Sequence, residues 1–294
     1  MSRAYRTVDV FTQVRFGGNP LAVVLDADGL SDGQMQAIAT EFNYSETSFV
    51  CRADNPAHTA KVRIFTPATE LPFAGHPNVG TAYVLASLAQ TPVDGFIFEE
   101  KAGLVRMRLQ WAGGAVRVAY LTAPEKLTRG AALDRDAVAA CLGLASSDIA
   151  VARHPPTVAS VGLPFVVAEI GSRAALRRAK ADPAAFAKIL PLQADAIYFY
   201  TREISAEDGA ADFTARMFGF PEDPATGSAT GAAAALISAA GKPADGTEKF
   251  TFAQGVDMGR PSLLLAEVDT QDGAMQAVRI GGACVPVMRG VLEI

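Results

Sequence analysis

Two stretches of the chain carry residues whose types and spacing could do chemistry. One reads FTPATELPFAGHPNVGTA and contains His76; the other reads FGFPEDPATGSATGAAAA and contains Asp223 and Ser228. In each, a strand-like run ends in a proline-rich loop, a glycine follows, and small residues continue as a helix. Pro77 occupies the favoured first helical position, which makes His76 the expected N-cap, and Ser228 takes that place in the second stretch. Helix N-termini present unpaired backbone N–H groups and a partial positive charge. Two such ends facing each other would suit the capture of an anion such as a carboxylate. Asp223 and Thr226 add polar groups at the mouth, while the glycines and alanines admit substrate and backbone closely. The plainer reading of Asp223 is a turn residue before Pro224.

The two stretches overlay with one gap: Arg63 on Arg216, Phe65 on Phe218, Glu70 on Glu222, Pro72 on Pro224 and Gly75 on Gly227. From Glu70 onward the offset is constant and close to half the chain, the signature of a duplicated domain. The plainer reading of the two arginines is as structural partners of nearby acids rather than as substrate clamps.

The elements that must position these residues follow from periodicity. Tyr5–Phe11 and Asn19–Asp26 read as paired strands around Gly17-Gly18. In SDGQMQAIATEF, Ser31 and Gln34 form a capping box, and Met35, Ile38, Ala39 and Phe42 make one apolar stripe. Strands are expected at 45–52, 60–66, 95–100, 104–111 and 115–121, with a helix over GHPNVGTAYVLASLAQ. The second half adds helices near 134–142, 182–190 and 228–240 and strands at 196–201, 211–218, 247–253, 261–268 and 276–280. No low-complexity linker separates the halves, and pattern places the boundary near 119–130.

Composition narrows the function. The chain has 294 residues, half of them apolar, and a formal net charge of −5 without basic runs, which argues against nucleic acid and for a dissolved small molecule. Cys51, Cys141 and Cys284 are widely spaced, include no CxxC pair and suit a reducing cytoplasm. The N-terminus lacks an unbroken apolar signal region, and no apolar run approaches membrane-spanning length. A soluble, cytoplasmic protein is expected. GHPNVGT has P-loop spacing without the lysine, and neither GxGxxG after a strand nor GxSxG occurs. His58 and His154 flank prolines in polar loops and receive no role.

GNPLAVV, the SET of Ser45–Thr47, FTPATELPFAGHPNVGTA, EDPATGSATGA, QGVDMGRPS and VRIGGACVPV, in this order over nearly the whole length, resemble the PhzF (phenazine biosynthesis-like) family. The resemblance implies the diaminopimelate epimerase-like α+β fold: two pseudo-symmetric lobes, each an antiparallel sheet or barrel curled around a central helix, with the active site in the cleft between them. Residues 1–118 with 283–294 would form the N-terminal lobe and 119–282 the C-terminal lobe, the last strand returning to the first lobe. The family's acid/base glutamate lands on Glu46, its histidine on His76, its aspartate on Asp223 and its serine on Ser228. Asn19, Gly75, Pro77, Thr226 and Gly227 are the expected substrate-binding positions. Gln254, Gly255, Arg260 and Ser262 match QGxxxGRPS, expected to support the second lobe. Related racemases of this fold use two cysteines, where this chain has His76 and Ser228, so two-thiol racemisation is not expected.

Without the resemblance, Glu46 alternates with Ser48 and reads as a solvated strand residue. With it, one carboxylate can take a proton from a carbon acid and return it elsewhere on the same substrate. That requires a neighbour or desolvation that raises its pKa, for which Asp223 is the candidate, and a His76 kept neutral. The expected function is a cofactor-independent and metal-independent isomerase or epimerase acting on a small anionic, carboxylate-bearing metabolite, as a homodimer. The alternative is a non-catalytic small-acid binding protein on the same fold.

Overall fold

The apolar runs flanking Gly17-Gly18 form β1 (Ser2–Val10) and β2 (Asn19–Val24), antiparallel with Val10 opposite Asn19. This pairing and all that follows come from a computed structural model that describes residues 2–189, 194, 196–219 and 221–294. The chain divides into two compact units, Met1–Thr122 with Gly281–Ile294, and Ala123–Ile280.

In the first unit the capping box forms as its residues dictate: Gln34 N–H donates to Ser31 Oγ, and the Gln34 side chain accepts from the Ser31 amide. Helix α1 (Asp32–Phe42) buries Met35 and Ala39, with Ile38 and Phe42 packed beside them against Val24, Phe49 and Phe65. Each large side chain fully withdrawn from water contributes about 1.5–3 kcal/mol. Strands β3 (Glu46–Cys51), β4 (Ala60–Phe65) and β5 (Glu70–Leu71) lead into α2 (Gly75–Leu88), and β6 (Gly95–Glu100), β7 (Gly103–Ala112) and β8 (Ala115–Thr122) follow. Helix α2 packs against β1, β2, β3, β7 and β8, and its residues 75–82 are buried without a break. A helix buried on every side needs no amphipathic stripe, which is why its sequence shows none. Gly80 permits the closest approach: a Cβ there would lie 2.5 Å from Leu21 and 2.8 Å from Val10. The strand Cys284–Glu293 returns to pair with β1, Ser2 opposite Glu293 and Val10 opposite Cys284, as the family resemblance implied.

The second unit runs β9 (Thr128–Ala132), α3 (Arg135–Cys141), β10 (Ile149–Ala150), β11 (Thr157–Ser160), β12 (Pro164–Ile170), α4 (Arg173–Arg178), α5 (Pro183–Ile189) and β13 (Ile197–Thr201). It continues with β14 (Phe213–Phe218), β15 (Glu222–Asp223), α6 (Gly227–Gly241), β16 (Gly246–Gln254), β17 (Ser262–Gln271) and β18 (Ala274–Gly282), before the returning strand, β19. Val138, Leu142, Leu176 and Phe186 of the small helices and their loops pack on Val166, Ile197 and Phe199. Leu190, the expected end of α5, lies outside the described residues. Helix α6 packs against β11, β12, β13, β16 and β17.

One expectation needs correction. The pairing is not uniformly antiparallel: β2–β3 and β4–β6 are parallel in the first unit, as are β12–β13 and β14–β16 in the second. Helices or long loops separate these strands in sequence, so the chain re-enters from the same end. Alternation within a strand reports which face is buried, not the direction of its neighbour. The fold is a mixed one, rich in sheet with few helices.

Candidate active site

Glu46 opens β3, which lies between β2 and β4 with Leu21 opposite Glu46. Thr47 and Ser48 point to opposite faces and are both fully buried, and the Glu46 side chain is only 18% exposed. The solvated-strand reading of Glu46 therefore fails: the strand is covered on both faces.

Glu46 Oε2 lies 3.5 Å from His76 Nδ1. Burial pushes the imidazole down to about 3, opposed by a hydrogen bond with the Pro20 backbone. The pair is thus a carboxyl group beside a neutral ring rather than an ion pair. Neutrality of His76 was expected from the helix end; burial is its main cause. His76 Nε2 is also buried and has no hydrogen-bond partner among the described residues. Asn19, fully buried at the start of β2, accepts a long hydrogen bond from Ser45 Oγ at 3.4 Å. Glu46 and His76, with Asn19 and the buried Gly75 and Pro77 beside them in the same first unit, converge where β2 and β3 begin and α2 starts.

The capping assignments are corrected. Helix α2 begins at Gly75 after the extended Ala74, and α6 at Gly227 after the extended Thr226; neither has a side-chain cap. His76 and Ser228 are each the second helical residue. Pro77 is the third, where a missing N–H still removes no intrahelical bond. The first-turn amides of both helices lack the cap that Ser31 gives α1.

In the second unit Thr226 Oγ1 donates to Asp223 Oδ2 at 2.5 Å. Gln254, fully buried at the end of β16, donates to the Asp223 carbonyl at 2.9 Å and accepts from the Thr226 amide at 3.1 Å. Gly255 has φ +72°, and a Cβ there would lie 2.5 Å from the carbonyls of both Pro224 and Arg260. Ser262 Oγ donates to Arg260 O at 3.0 Å and Pro224 O at 3.4 Å. The QGxxxGRPS residues thus brace the loop that presents Asp223, Thr226, Gly227 and the half-buried Ser228.

The repeated arginines are braces too. Arg63 holds Glu70 by two bonds of 2.8 Å and Asp32 by one of 2.7 Å. Arg216 holds Glu222 at 2.8 and 3.0 Å and donates to the carbonyls of Leu176 and Ala179. Each clamps the short strand that precedes its helix, so the partner-of-acids reading holds. Of the other histidines, His58 bonds Glu99 at 2.7 Å. His154 lies in a loop beside Pro155, as expected, but the side chain is buried, with Nε2 2.8 Å from Tyr200 Oη. Cys141 and Cys284 are buried, Cys51 half-buried, and all three are free. Among the described residues no cluster of three or more His, Cys, Asp or Glu is placed to hold a metal ion, and no helix is long and apolar enough to cross a membrane.

Sequence reading missed Asn78, fully buried in the first turns of α2, and Glu100 at the end of β6, whose carboxyl oxygens are buried.

The profile of the phenazine biosynthesis-like protein family matches residues 8–290. An uncharacterized isomerase of Mesorhizobium japonicum is 42% identical, the match covering 100% of this chain and 99% of that protein. The trans-2,3-dihydro-3-hydroxyanthranilate isomerase of Pseudomonas chlororaphis is 35% identical over 99% of each. Among solved structures, the Bacillus anthracis phenazine biosynthesis protein of the PhzF family superposes with a TM-score of 0.88 at 25% identity, covering 100% of both chains. The chain belongs to the phenazine biosynthesis-like (PhzF) family, a family of isomerases.

Proposed function

We propose that this protein is a cofactor-independent isomerase or epimerase that moves a proton between carbon positions of a small carboxylate-bearing metabolite. The observation that carries the reading is the 3.5 Å approach of Glu46 Oε2 to the uncharged His76 at the start of a buried helix. In this reading Glu46 takes the proton from carbon and returns it to a second position. His76 orients the carboxyl group and offers Nε2 to the substrate. A cation there would hold Glu46 as a permanent carboxylate; a neutral ring leaves it free to alternate between base and acid. The uncapped first-turn N–H groups of Gly75 and His76 receive the substrate's negative charge, with Pro77 and Asn19 beside them.

Asp223, Thr226, Gly227 and Ser228 are proposed to act on the same substrate as Glu46, as the family resemblance implies and as the bracing of their loop supports. So are the two pseudo-symmetric lobes around central helices, the homodimer and the cytoplasmic location. The carboxylate class is supported by the Pseudomonas relative, whose named substrate is a hydroxyanthranilate.

The test is solvent-deuterium incorporation into a panel of hydroxy and amino acids, including trans-2,3-dihydro-3-hydroxyanthranilate, read by mass spectrometry. Exchange at carbon by the wild type and its loss in Glu46→Gln supports the reading. Tight binding of an acid without exchange in any of them would replace it with the small-acid binding protein.

A further inference from the structure

Arg173, the first residue of α4, buries its guanidinium between two aspartates and forks onto each; its side chain is only 7% exposed. Nε and Nη2 donate to Asp208 at 2.9 and 3.0 Å, while Nη1 and Nη2 donate to Asp257 at 2.7 and 3.0 Å. The Asp208 end is an anchor: its side chain is fully enclosed and accepts from the Ser205 amide and Oγ, each at 2.8 Å. The backbone amide of Arg173 is fixed as well, donating to the Glu203 carboxylate at 2.6 Å. Burial raises both aspartates and the bonds from Arg173 outweigh it, so the fork meets two ionised groups.

Asp257, at the other end of this bridge, belongs to QGVDMGRPS. The short turn Val256–Met258 that carries it closes on Gly255, whose carbonyl accepts from the Met258 amide at 3.1 Å and the Arg260 amide at 3.0 Å. Gly255 also packs against the Pro224 carbonyl, and its neighbour Gln254 holds the Asp223 carbonyl and the Thr226 amide. A shift of Asp257 is therefore passed directly to the loop before α6. We propose that Arg173 is a positioning residue for the reaction: its double fork sets the turn at Asp257 and, through Gly255 and Gln254, the place of Asp223 and Thr226.

A buried ion cluster gains little net stability, because desolvation offsets most of the attraction; what two forked contacts fix is geometry. A lysine cannot replace them, since an ammonium carries the charge without the planar fork. Arg177 also reaches Asp257, Nε to Oδ1 at 3.2 Å, but its side chain is 51% exposed and adds charge without fixing position.

This rests on the reading that the Asp223 loop acts on the substrate, and one arm of the test needs no substrate. Amide exchange of the peptide spanning 222–230 is compared by mass spectrometry in wild type, Arg173→Lys, Asp257→Asn and Glu267→Gln. The last removes the charge from another buried pair of the same unit, Arg279 to Glu267 at 3.0 Å. Glu267 lies opposite Lys249, far along the β16–β17 ladder from Gln254. Exchange is expected to speed about tenfold in Arg173→Lys and Asp257→Asn and to keep the wild-type rate in Glu267→Gln. On an acid that the wild type turns over, measured well below each Tm, the first two lose kcat roughly 10–10²-fold. KM stays within about twofold, because the substrate's charge is received in the first unit. Glu267→Gln lowers Tm and keeps kcat. Should the wild type turn over no acid, the proposed function fails, while a peptide loosened only by the two fork variants still supports Arg173 as the residue that positions the loop. A lower Tm with wild-type kcat and wild-type exchange in both fork variants marks a merely structural ion cluster and overturns the proposal. If Arg173→Lys does not fold, Asp257→Asn, at the less enclosed end of the bridge, decides by the same readings.

Discussion

Glu46 and His76 meet at 3.5 Å, carboxyl oxygen to ring nitrogen, where burial denies the ring a charge. The pairing resembles a salt bridge in geometry and differs from one in chemistry, since the proton capacity rests with the carboxyl group.

Replacing Glu46 by Gln keeps the shape and removes the base. Turnover of an exchanging acid is expected to fall by ~10²–10⁴-fold, the range for loss of a general base. Steady-state kinetics beside a thermal melt checks this; near-wild-type turnover in a folded variant rejects the assignment.

His76 makes the protein sensitive to acid. Between its ordinary value of 6.5 and about 3, the unfolded chain binds a proton that the native site refuses. Stability contributed by this group is therefore complete above 6.5 and lost as pH falls toward 3, up to about 5 kcal/mol. His76→Asn should flatten that part of the Tm profile measured from pH 7 to 4. An unchanged slope would show that the ring is not buried in solution.

Gln254 satisfies a carbonyl and an amide at once. Gln254→Leu strands the Asp223 carbonyl and the Thr226 amide, at a cost of roughly 1–3 kcal/mol for each group left unsatisfied. Urea denaturation should show a lower midpoint at unchanged slope. Activity should fall as well, because the loop presenting Asp223 loses its brace.

Gly80→Ala tests the threading of α2. The added methyl group meets Leu21 and Val10 at 2.5 and 2.8 Å, overpacking that typically costs about 1–3 kcal/mol. A variant that melts with the wild type would show that the helix can shift away from β1 and β2.

Much of this was legible in the residues. The capping box of α1 and most strands were readable because local periodicity and side-chain chemistry determine them. The repeat was readable because Arg63 and Arg216 perform the same task in the same local frame. The parallel pairings were not, because strand direction depends on where the chain re-enters the sheet. The cap of α2 was misjudged by two residues because Pro77 is tolerated anywhere in the first turn. The environment of Glu46 was hidden for a different reason: the burial of Thr47 and Ser48 depends on what covers β3, which β3 itself does not encode. Glu100 reads as a surface charge in GFIFEE, and only the fold shows that its carboxyl oxygens are buried.

Strand β19 covers one edge of β1 while β2 occupies the other. Every residue of the second unit is translated before that strand, so during synthesis the earlier unit waits with a bare strand border until its late partner emerges. Truncation within 284–293 should accordingly damage the half of the protein that was made first, leaving Glu46 and His76 in an unfinished scaffold and exposing a sticky backbone edge to other nascent chains.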